Sequence, residues 1–177
     1  MSNTTIKKAN IEEVGLLQKI GITTFSETFS AFNSPDNLNK YLSESFSIEK
    51  LKSELNNSNS EFYIALDGRN PVGYLKLNFG ASQTELKDNK ALEIERIYVL
   101  KEYQGKNVGK LLYQQALAIA KQNKVAYLWL GVWEKNERAI NFYKKNGFVT
   151  FDTHIFKLGN EAQTDFMMKL QLTGEHE

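Results

Sequence analysis

Residues 92–109, with the sequence LEIERIYVLKEYQGKNVG, predict a strand, a short loop and the start of a helix. Apolar side chains dominate residues 92–100, the loop contains Gly105, and an apolar face at helical spacing begins with Val108. The first N–H groups of a helix lack intrahelical partners, and the helix dipole adds partial positive charge there. We therefore expect this junction to bind the pyrophosphate of a larger cofactor. Three lysines surround it: Lys101, Lys106 and Lys110.

The loop resembles the signature of a known family. Residues 104–109, QGKNVG, are similar to the (Gln/Arg)-x-x-Gly-x-(Gly/Ala) motif of the GNAT superfamily, the acyl-CoA-dependent N-acetyltransferases. The resemblance implies that the loop amides bind the pyrophosphate of CoA. Asn107 stands where the family usually has glycine. Because asparagine is among the few residues besides glycine that tolerate a left-handed backbone conformation, this departure need not abolish binding.

Composition narrows the class of protein. The 177 residues predict one domain, residues 1–177, and a net charge of +1 gives no reason to expect a nucleic-acid or membrane partner. The absence of cysteine excludes disulfides, thiolate metal sites and a cysteine nucleophile. The two histidines, His154 and His176, are far apart in the sequence, so we expect no metal site. The chain starts without a secretory signal and has no run of roughly 18 apolar residues, which favours a cytoplasmic protein.

The rest of the chain predicts an α/β protein. The first helix carries an apolar series that we expect to be core: Val14, Leu17, Gly21, Phe25, Phe29 and Phe32. The predicted strands are 4–8, 62–66, 72–79, 91–100, 126–132, 148–156 and 164–170, and the predicted helices begin near Asn10, Ser34, Ile48, Val108 and Asn136. This is the element order of the GNAT fold. The resemblance therefore implies a mixed central sheet of about seven strands with flanking helices, splayed between strands four and five, where the cofactor enters.

A second segment resembles the same family. Residues 136–148, NERAINFYKKNGF, are similar to its Asn-x-x-Ala-x-x-Phe-Tyr-x-x-x-Gly-Phe segment, and helical spacing places Asn136, Ala139 and Tyr143 on one face. The resemblance implies that Asn136 contacts the pantetheine and that Tyr143 is the general acid for the leaving CoA thiolate. The amine then attacks acetyl-CoA directly. The predicted CoA contacts are Ile97, Tyr98, Val99, Gln104, Gly105, Lys106, Asn107, Val108, Gly109, Lys110, Asn136, Ala139, Phe142, Tyr143 and Lys145.

Glu93 and Glu95 are the candidate bases for deprotonating the amine. On a regular strand they share a face with Ile97 and Val99, which match the pantetheine-binding strand of the family. Glu93 matches the family's best-known base position, and Glu95 lies one strand repeat closer to the acetyl end. Either residue could be the base, acting directly or through a water molecule. Either could instead form an ion pair with a nearby cation and have no catalytic role. We expect the backbone N–H of Val99 to stabilise the oxyanion.

The segments outside the CoA motifs bear on the acceptor. Residues 25–46, FSETFSAFNSPDNLNKYLSESF, and 158–170, LGNEAQTDFMMKL, resemble the bacterial PaiA-type spermidine/spermine N-acetyltransferases. The resemblance implies a polyamine acceptor. Because a polyamine is a polycation, the cleft that binds it should carry carboxylates. Candidates are Glu27, Glu44 and Glu85, with Glu93 and Glu95 at the mouth of the cleft.

Several alternatives stay open. The acceptor could be another small amine or a peptide amine, and the chain could be a catalytically silent CoA-binding module, as the substitution at Asn107 suggests. A nucleotide-binding domain is disfavoured because the Gly-x-x-x-x-Gly-Lys-Ser/Thr loop is absent. The protein could be a monomer or a homodimer.

Overall fold

A computed structural model of the chain describes residues 3–172, so His176 lies outside the described residues. These residues form seven strands and five α-helices. Their order is β1 (Thr4–Lys8), α1 (Val14–Phe29), α2 (Pro35–Ser45), α3 (Ile48–Leu55), β2 (Ser60–Asp67), β3 (Asn70–Phe79), β4 (Ala91–Val99), α4 (Val108–Gln122), β5 (Tyr127–Trp133), α5 (Glu137–Lys145), β6 (Val149–Leu158) and β7 (Glu161–Gln171). The predicted α/β order is confirmed. Within residues 3–172, every helix is too short or too polar to cross a membrane.

Side-chain caps fix where the helices begin. The hydroxyls of Ser34 and Ser47 accept the N–H groups of the first turns of α2 and α3, and the Asn136 carbonyl accepts the N–H of Ala139 in α5. Each cap satisfies a backbone donor that the helix leaves unpaired. At the other end of α5, Gly147 has a φ of +93°, so glycine ends this helix in the left-handed conformation as predicted.

The sheet has the strand order β1-β2-β3-β4-β5-β7-β6. In the described part of the chain, β4 and β5 are the one parallel pair, and they pair only through residues 91–94 with 127–130. Beyond Ile94 and Leu130 the two strands separate. This confirms the predicted splay between strands four and five and leaves a gap in the middle of the sheet.

Helices cover both faces of the sheet, and each face has its own core. On one face, α4 and α5 pack on Leu92, Ile94 and the other apolar residues that point that way. On the opposite face, α1, α2 and α3 pack on residues that include Phe62, Ile64 and Tyr74. We refer to these as the α4/α5 face and the α1/α2 face.

The expectation that Phe32 belongs to the core is wrong. Helix α1 ends at Phe29, three residues earlier, so the helical spacing no longer applies. The Phe32 side chain is 58% exposed and rests edge-on against Trp133, with 4.8 Å between ring centroids.

Candidate active site

The junction between β4 and α4 has the backbone geometry of an anion site. After a 3₁₀ turn at Lys101–Tyr103, Gly105 has a φ of +81° and Asn107 a φ of +67°, and α4 begins at Val108. Asn107 thus adopts the left-handed conformation that asparagine tolerates. The N–H groups of Val108, Gly109 and Lys110 donate to no carbonyl within residues 3–172, so they are available to an anion.

Arg138 lies over this loop from the first turn of α5. Its Nη1 donates to Gln104 Oε1 at 2.9 Å, and its Nη2 lies 3.8 Å from where a Cβ on Gly105 would be. The sequence does not single out Arg138, because it occupies an unspecified position of the Asn-x-x-Ala motif. The guanidinium adds a cation with several donors to a loop already bordered by Lys106 and Lys110.

The free edge of β4 presents backbone donors to the gap. The N–H of Leu100 donates to the Val72 carbonyl at 2.9 Å, toward β3. Successive N–H groups of a strand point to opposite edges, so the N–H of Val99 points toward the gap, as does that of Ile97. The oxyanion donor expected from the sequence therefore has the required direction.

The expectation that Glu93 and Glu95 share a face with Ile97 and Val99 is wrong. Opposite β4, Lys76 pairs with Arg96 but Leu77 pairs with Ile94, so Glu95 is the extra residue of a β-bulge. A bulge reverses the alternation of side chains that follow it. Ile97 and Val99 consequently pack on the α4/α5 face, whereas Glu93, paired with Asn78, lies on the α1/α2 face.

Glu95 is held in a partly buried ion network. Its Oε2 lies 2.7 Å from Lys76 Nζ and 3.5 Å from Arg96 Nε, and Lys76 also pairs with Glu54 at 3.0 Å. Burial opposes the charge of Glu95, but Arg96 and Lys76 outweigh it and hold the pKa of this carboxyl below its ordinary value. A carboxylate stabilised in this way is a weak base.

Glu93 has the opposite environment. It is 3% exposed, and its Oε1 accepts hydrogen bonds from Asn78 Nδ2 and from the Thr84 N–H at 2.9 and 2.8 Å. The Thr84 hydroxyl donates to the other oxygen, Oε2. Burial raises the pKa of Glu93, and these hydrogen bonds oppose the shift only in part. Glu93 is therefore the stronger base of the two, and its partner Thr84 is exposed to solvent.

The loop that carries Thr84 is tied to the sheet. Trp129 Nε1 donates to Gln83 Oε1 at 2.7 Å, and Gln83 Nε2 donates to the Asp88 carbonyl at 2.7 Å. Gln83 is 1% exposed. This buried amide fixes the polar connection between β3 and β4 and so holds Thr84 against Glu93.

Tyr143 lies on the α4/α5 face of the gap. Its ring is buried against Phe142 and Phe148, with centroid distances of 5.5 and 5.3 Å. Within residues 3–172 its hydroxyl has no hydrogen-bond partner. Burial, with a smaller contribution from Tyr113, raises the pKa of Tyr143, so the hydroxyl keeps its proton at neutral pH and can donate it.

A cavity of about 370 Å³ occupies the gap and extends to both faces of the sheet. It brings together eight of the residues expected from the sequence: Glu85, Glu93, Glu95, Ile97, Tyr98, Asn136, Ala139 and Tyr143. Tyr98 is expected to contact CoA through its backbone, and its side chain points to the α1/α2 face beside Tyr74.

The other predicted residues lie outside this cavity. The loop residues 104–110 form the separate anion site, Phe142 packs on Tyr113, and Lys145 is exposed at the end of α5. Glu27 accepts the N–H of Lys101 at 3.2 Å and so caps the turn after β4. Glu44 is exposed on α2. The structure does not bring Glu27 or Glu44 to the cavity.

The sequence does not single out most of the α1/α2 side of the cavity. Here lie Asp165, His154, whose Nδ1 is 2.8 Å from Glu85 Oε1, and the aromatic rings of Phe25, Phe29, Tyr41, Trp133 and Phe156. These residues come from five separate elements, so no single sequence spacing links the whole set. Residues 3–172 contain no group of three or more His, Cys, Asp or Glu side chains that could hold a metal ion.

The separation of two parallel strands beside a loop with free amides is the arrangement that the resemblance to CoA-dependent acyltransferases implies. The profile of the Acetyltransferase (GNAT) family matches residues 26–148. The chain belongs to this family and is an acetyl-CoA-dependent N-acetyltransferase.

Individual relatives cover nearly the whole chain. An uncharacterised N-acetyltransferase in the pepI 3′ region of Lactobacillus delbrueckii subsp. lactis is 40% identical over 172 residues, covering 96% of this chain and 99% of that protein. A spermidine N(1)-acetyltransferase of Thermoplasma acidophilum is 29% identical, covering 84% of this chain and 89% of that one. The crystal structure of PaiA N-acetyltransferase from T. acidophilum in complex with coenzyme A superposes with a TM-score of 0.80 at 26% identity, covering 96% and 99% of the two chains.

Proposed function

We propose that the protein acetylates a primary amino group of a polyamine such as spermidine or spermine. The observation that carries this proposal is the lining of the cavity on the α1/α2 face, which includes four carboxylates, Glu85, Glu93, Glu95 and Asp165. Lys76 and Arg96 neutralise Glu95, and the other three have no Lys or Arg partner among the described residues. Such a lining attracts a polycation. The similarity to the T. acidophilum spermidine N(1)-acetyltransferase and PaiA structure supports the same acceptor.

The two faces of the gap have different roles in the proposed reaction: the amine loses its proton on one face, and the thiolate is stabilised on the other. The amine enters from the α1/α2 face, and its proton passes to Glu93, directly or through the Thr84 hydroxyl or a water. We assign the base role to Glu93 because Glu95 is already neutralised by Lys76 and Arg96. The N–H of Val99 donates to the oxyanion, and the Tyr143 hydroxyl on the α4/α5 face donates to the departing thiolate.

CoA is proposed to bind along the gap. Its pyrophosphate meets the N–H groups of Val108, Gly109 and Lys110 and the side chain of Arg138. The pantetheine follows the free edge of β4 toward Asn136 and Ala139 on α5, both of which line the cavity. This places the thioester between Tyr143 and the acceptor face.

The test compares kcat/KM for spermidine with that for a monoamine of similar length, at low and high salt. Each partly exposed ion pair contributes about 0–1 kcal/mol, so two or three pairs give a preference of about tenfold. The preference should fall as salt rises, because the charges lie near solvent. The rate should rise with pH until the amine or the base has titrated.

The result also separates the alternatives. Equal efficiency on both amines without a salt effect refutes the polyamine proposal and leaves an N-acetyltransferase for another amine. A protein that binds CoA but releases no CoA from acetyl-CoA with any amine would be the silent binding module.

A further inference from the structure

Asp165 lies where the gap in the sheet begins. It pairs with Trp133 across β5 and β7, and its Oδ2 is 3.8 Å from where a Cβ on Gly131 would be. Gly131 directly follows Leu130, the last residue of β5 that pairs with β4. Because Gly131 has no side chain, nothing at this position separates the Asp165 carboxylate from the cavity.

Asp165 differs from the other three carboxylates of the cavity in its partners. Glu85 pairs with His154 at 2.8 Å, Glu95 pairs with two cations, and Glu93 accepts three hydrogen bonds. The Gln163 side chain donates a hydrogen bond to Asp165, but the buried oxygen Oδ1 has no hydrogen-bond partner within residues 3–172. A buried carboxylate oxygen without a partner is costly, and a bound donor would remove that cost.

Aromatic rings form a wall of the cavity that contains this carboxylate. Five of them line the same cavity: Phe25, Phe29, Tyr41, Trp133 and Phe156. They are in mutual contact, with centroid distances of 4.5 Å for Phe25 and Tyr41, 5.7 Å for Tyr41 and Phe156, and 5.7 Å for Phe29 and Trp133. Ring faces attract an ammonium group within about 6 Å, while their apolar surface accepts an alkyl chain.

We propose that Asp165 and this aromatic wall bind a second, non-reacting positive nitrogen of the acceptor. Asp165 is then a specificity-determining residue, and the reacting nitrogen lies at the gap beside Glu93 and Thr84. An apolar amine would fill the aromatic wall but leave Asp165 Oδ1 unpaired, so the site selects aliphatic amines with a second charge. This inference rests on the proposed function and adds to it the residues that select the acceptor.

The first experiment is Asp165→Asn, which keeps the shape of the side chain and removes its charge. We expect kcat/KM for spermidine to fall about tenfold, which removes most of its advantage over a monoamine and is the low end for a hydrogen bond to a charged group, mainly through a higher KM. For a monoamine the value should change less than about threefold. Asp152→Asn on the neighbouring strand β6 is the matched control, since Asp152 is exposed and outside the cavity, and it should leave both values unchanged.

Each outcome is decisive. An equal loss for both amines, or no loss for either, overturns the role of Asp165. A wild-type preference for spermidine that Asp165→Asn retains overturns the subsite but leaves the polyamine proposal intact. Equal efficiency of the wild type on both amines overturns both.

A second experiment needs no variant and so does not depend on the folding of Asp165→Asn. The wild type is given a primary amine whose far end is a dimethylammonium group, which keeps one N–H donor, and the same amine with a neutral isopropyl group there. The two are alike in shape, and the aromatic wall should favour the cation at least tenfold in kcat/KM. Equal values would show that the far end is recognised only as apolar bulk, and would overturn the proposal.

Discussion

Replacing Tyr143 by phenylalanine should separate catalysis from stability. The ring is 5% exposed and stays in place in the variant, so its packing on Phe142 and Phe148 is kept. Since the hydroxyl has no hydrogen-bond partner within residues 3–172, its removal leaves no protein group unpaired. We expect the free energy of unfolding to change by less than about 1 kcal/mol.

The size of the catalytic loss follows from the environment of the hydroxyl. With ordinary pKa values of about 10 for tyrosine and 8.5 for a thiol, full proton transfer to the thiolate costs roughly 2 kcal/mol. Burial raises the pKa of Tyr143 further, so this cost increases and hydrogen-bond donation is favoured over complete transfer. Loss of one such donor lowers kcat by about 10²–10³-fold, or roughly 2.7–4 kcal/mol.

The assay is release of CoA, followed with a thiol reagent. Because the chain has no cysteine, the reagent reports only the product. Tyr113→Phe is the matched control: Tyr113 belongs to the same aromatic group, 5.6 Å from Phe142, but does not line the cavity. Near wild-type kcat in Tyr143→Phe, or an equal loss in Tyr113→Phe, would refute the role of the Tyr143 hydroxyl and leave it a core aromatic.

Three further changes test other parts of the site. Gly109→Leu should raise the dissociation constant of CoA at least tenfold, about 1.4 kcal/mol, as measured by calorimetric titration. A Cβ at this position contacts only Val99, at 3.8 Å, so the leucine fits the fold while the rest of its side chain covers the loop amides. Unchanged affinity in the folded variant would remove the loop from the CoA site. Arg138→Gln should weaken CoA binding about three- to tenfold, less at high salt, and an effect on kcat alone would contradict a phosphate contact. Glu95→Gln should lower stability by about 1–3 kcal/mol at pH 7. Because the folded pKa of Glu95 lies below its ordinary 4.5, this difference should shrink as pH falls through that lowered value, and a difference that persists in acid would contradict the ion network.

The parts of the site that depend on consecutive residues could be predicted from the sequence. The loop around Gly105 and Asn107 is defined by backbone conformations that few residues adopt, and the face of α5 with Asn136 and Tyr143 follows from helical spacing. Both lie within a single stretch of chain. The strands could also be predicted, because a strand that is covered on both faces of the sheet needs a long run of apolar residues.

The α1/α2 side of the cavity could not be predicted, because it depends on register between distant strands. Asp165 reaches the cavity through its pairing with Trp133, and Thr84 reaches Glu93 through a loop fixed by the buried amide of Gln83. Neither contact leaves a periodic signal. Glu27 has a structural contact that the sequence does not reveal, because its carboxylate accepts the N–H of Lys101, and its role in substrate binding stays a prediction.

The extra residue at Glu95 connects the shape of the sheet to its chemistry. Pairing of β4 with β5 ends at Ile94, directly before the bulge, and a bulge bends its strand and increases the twist. The same extra residue turns the side chains of Ile97 and Val99 toward the α4/α5 face, whereas Glu93, which precedes it, lies on the α1/α2 face. A carboxylate placed at the bulge would be costly without partners, and Lys76 and Arg96 supply them. The ion network thus stabilises a carboxylate at the point where the two strands separate, and it leaves Glu93, whose partners are all uncharged, as the base that we propose.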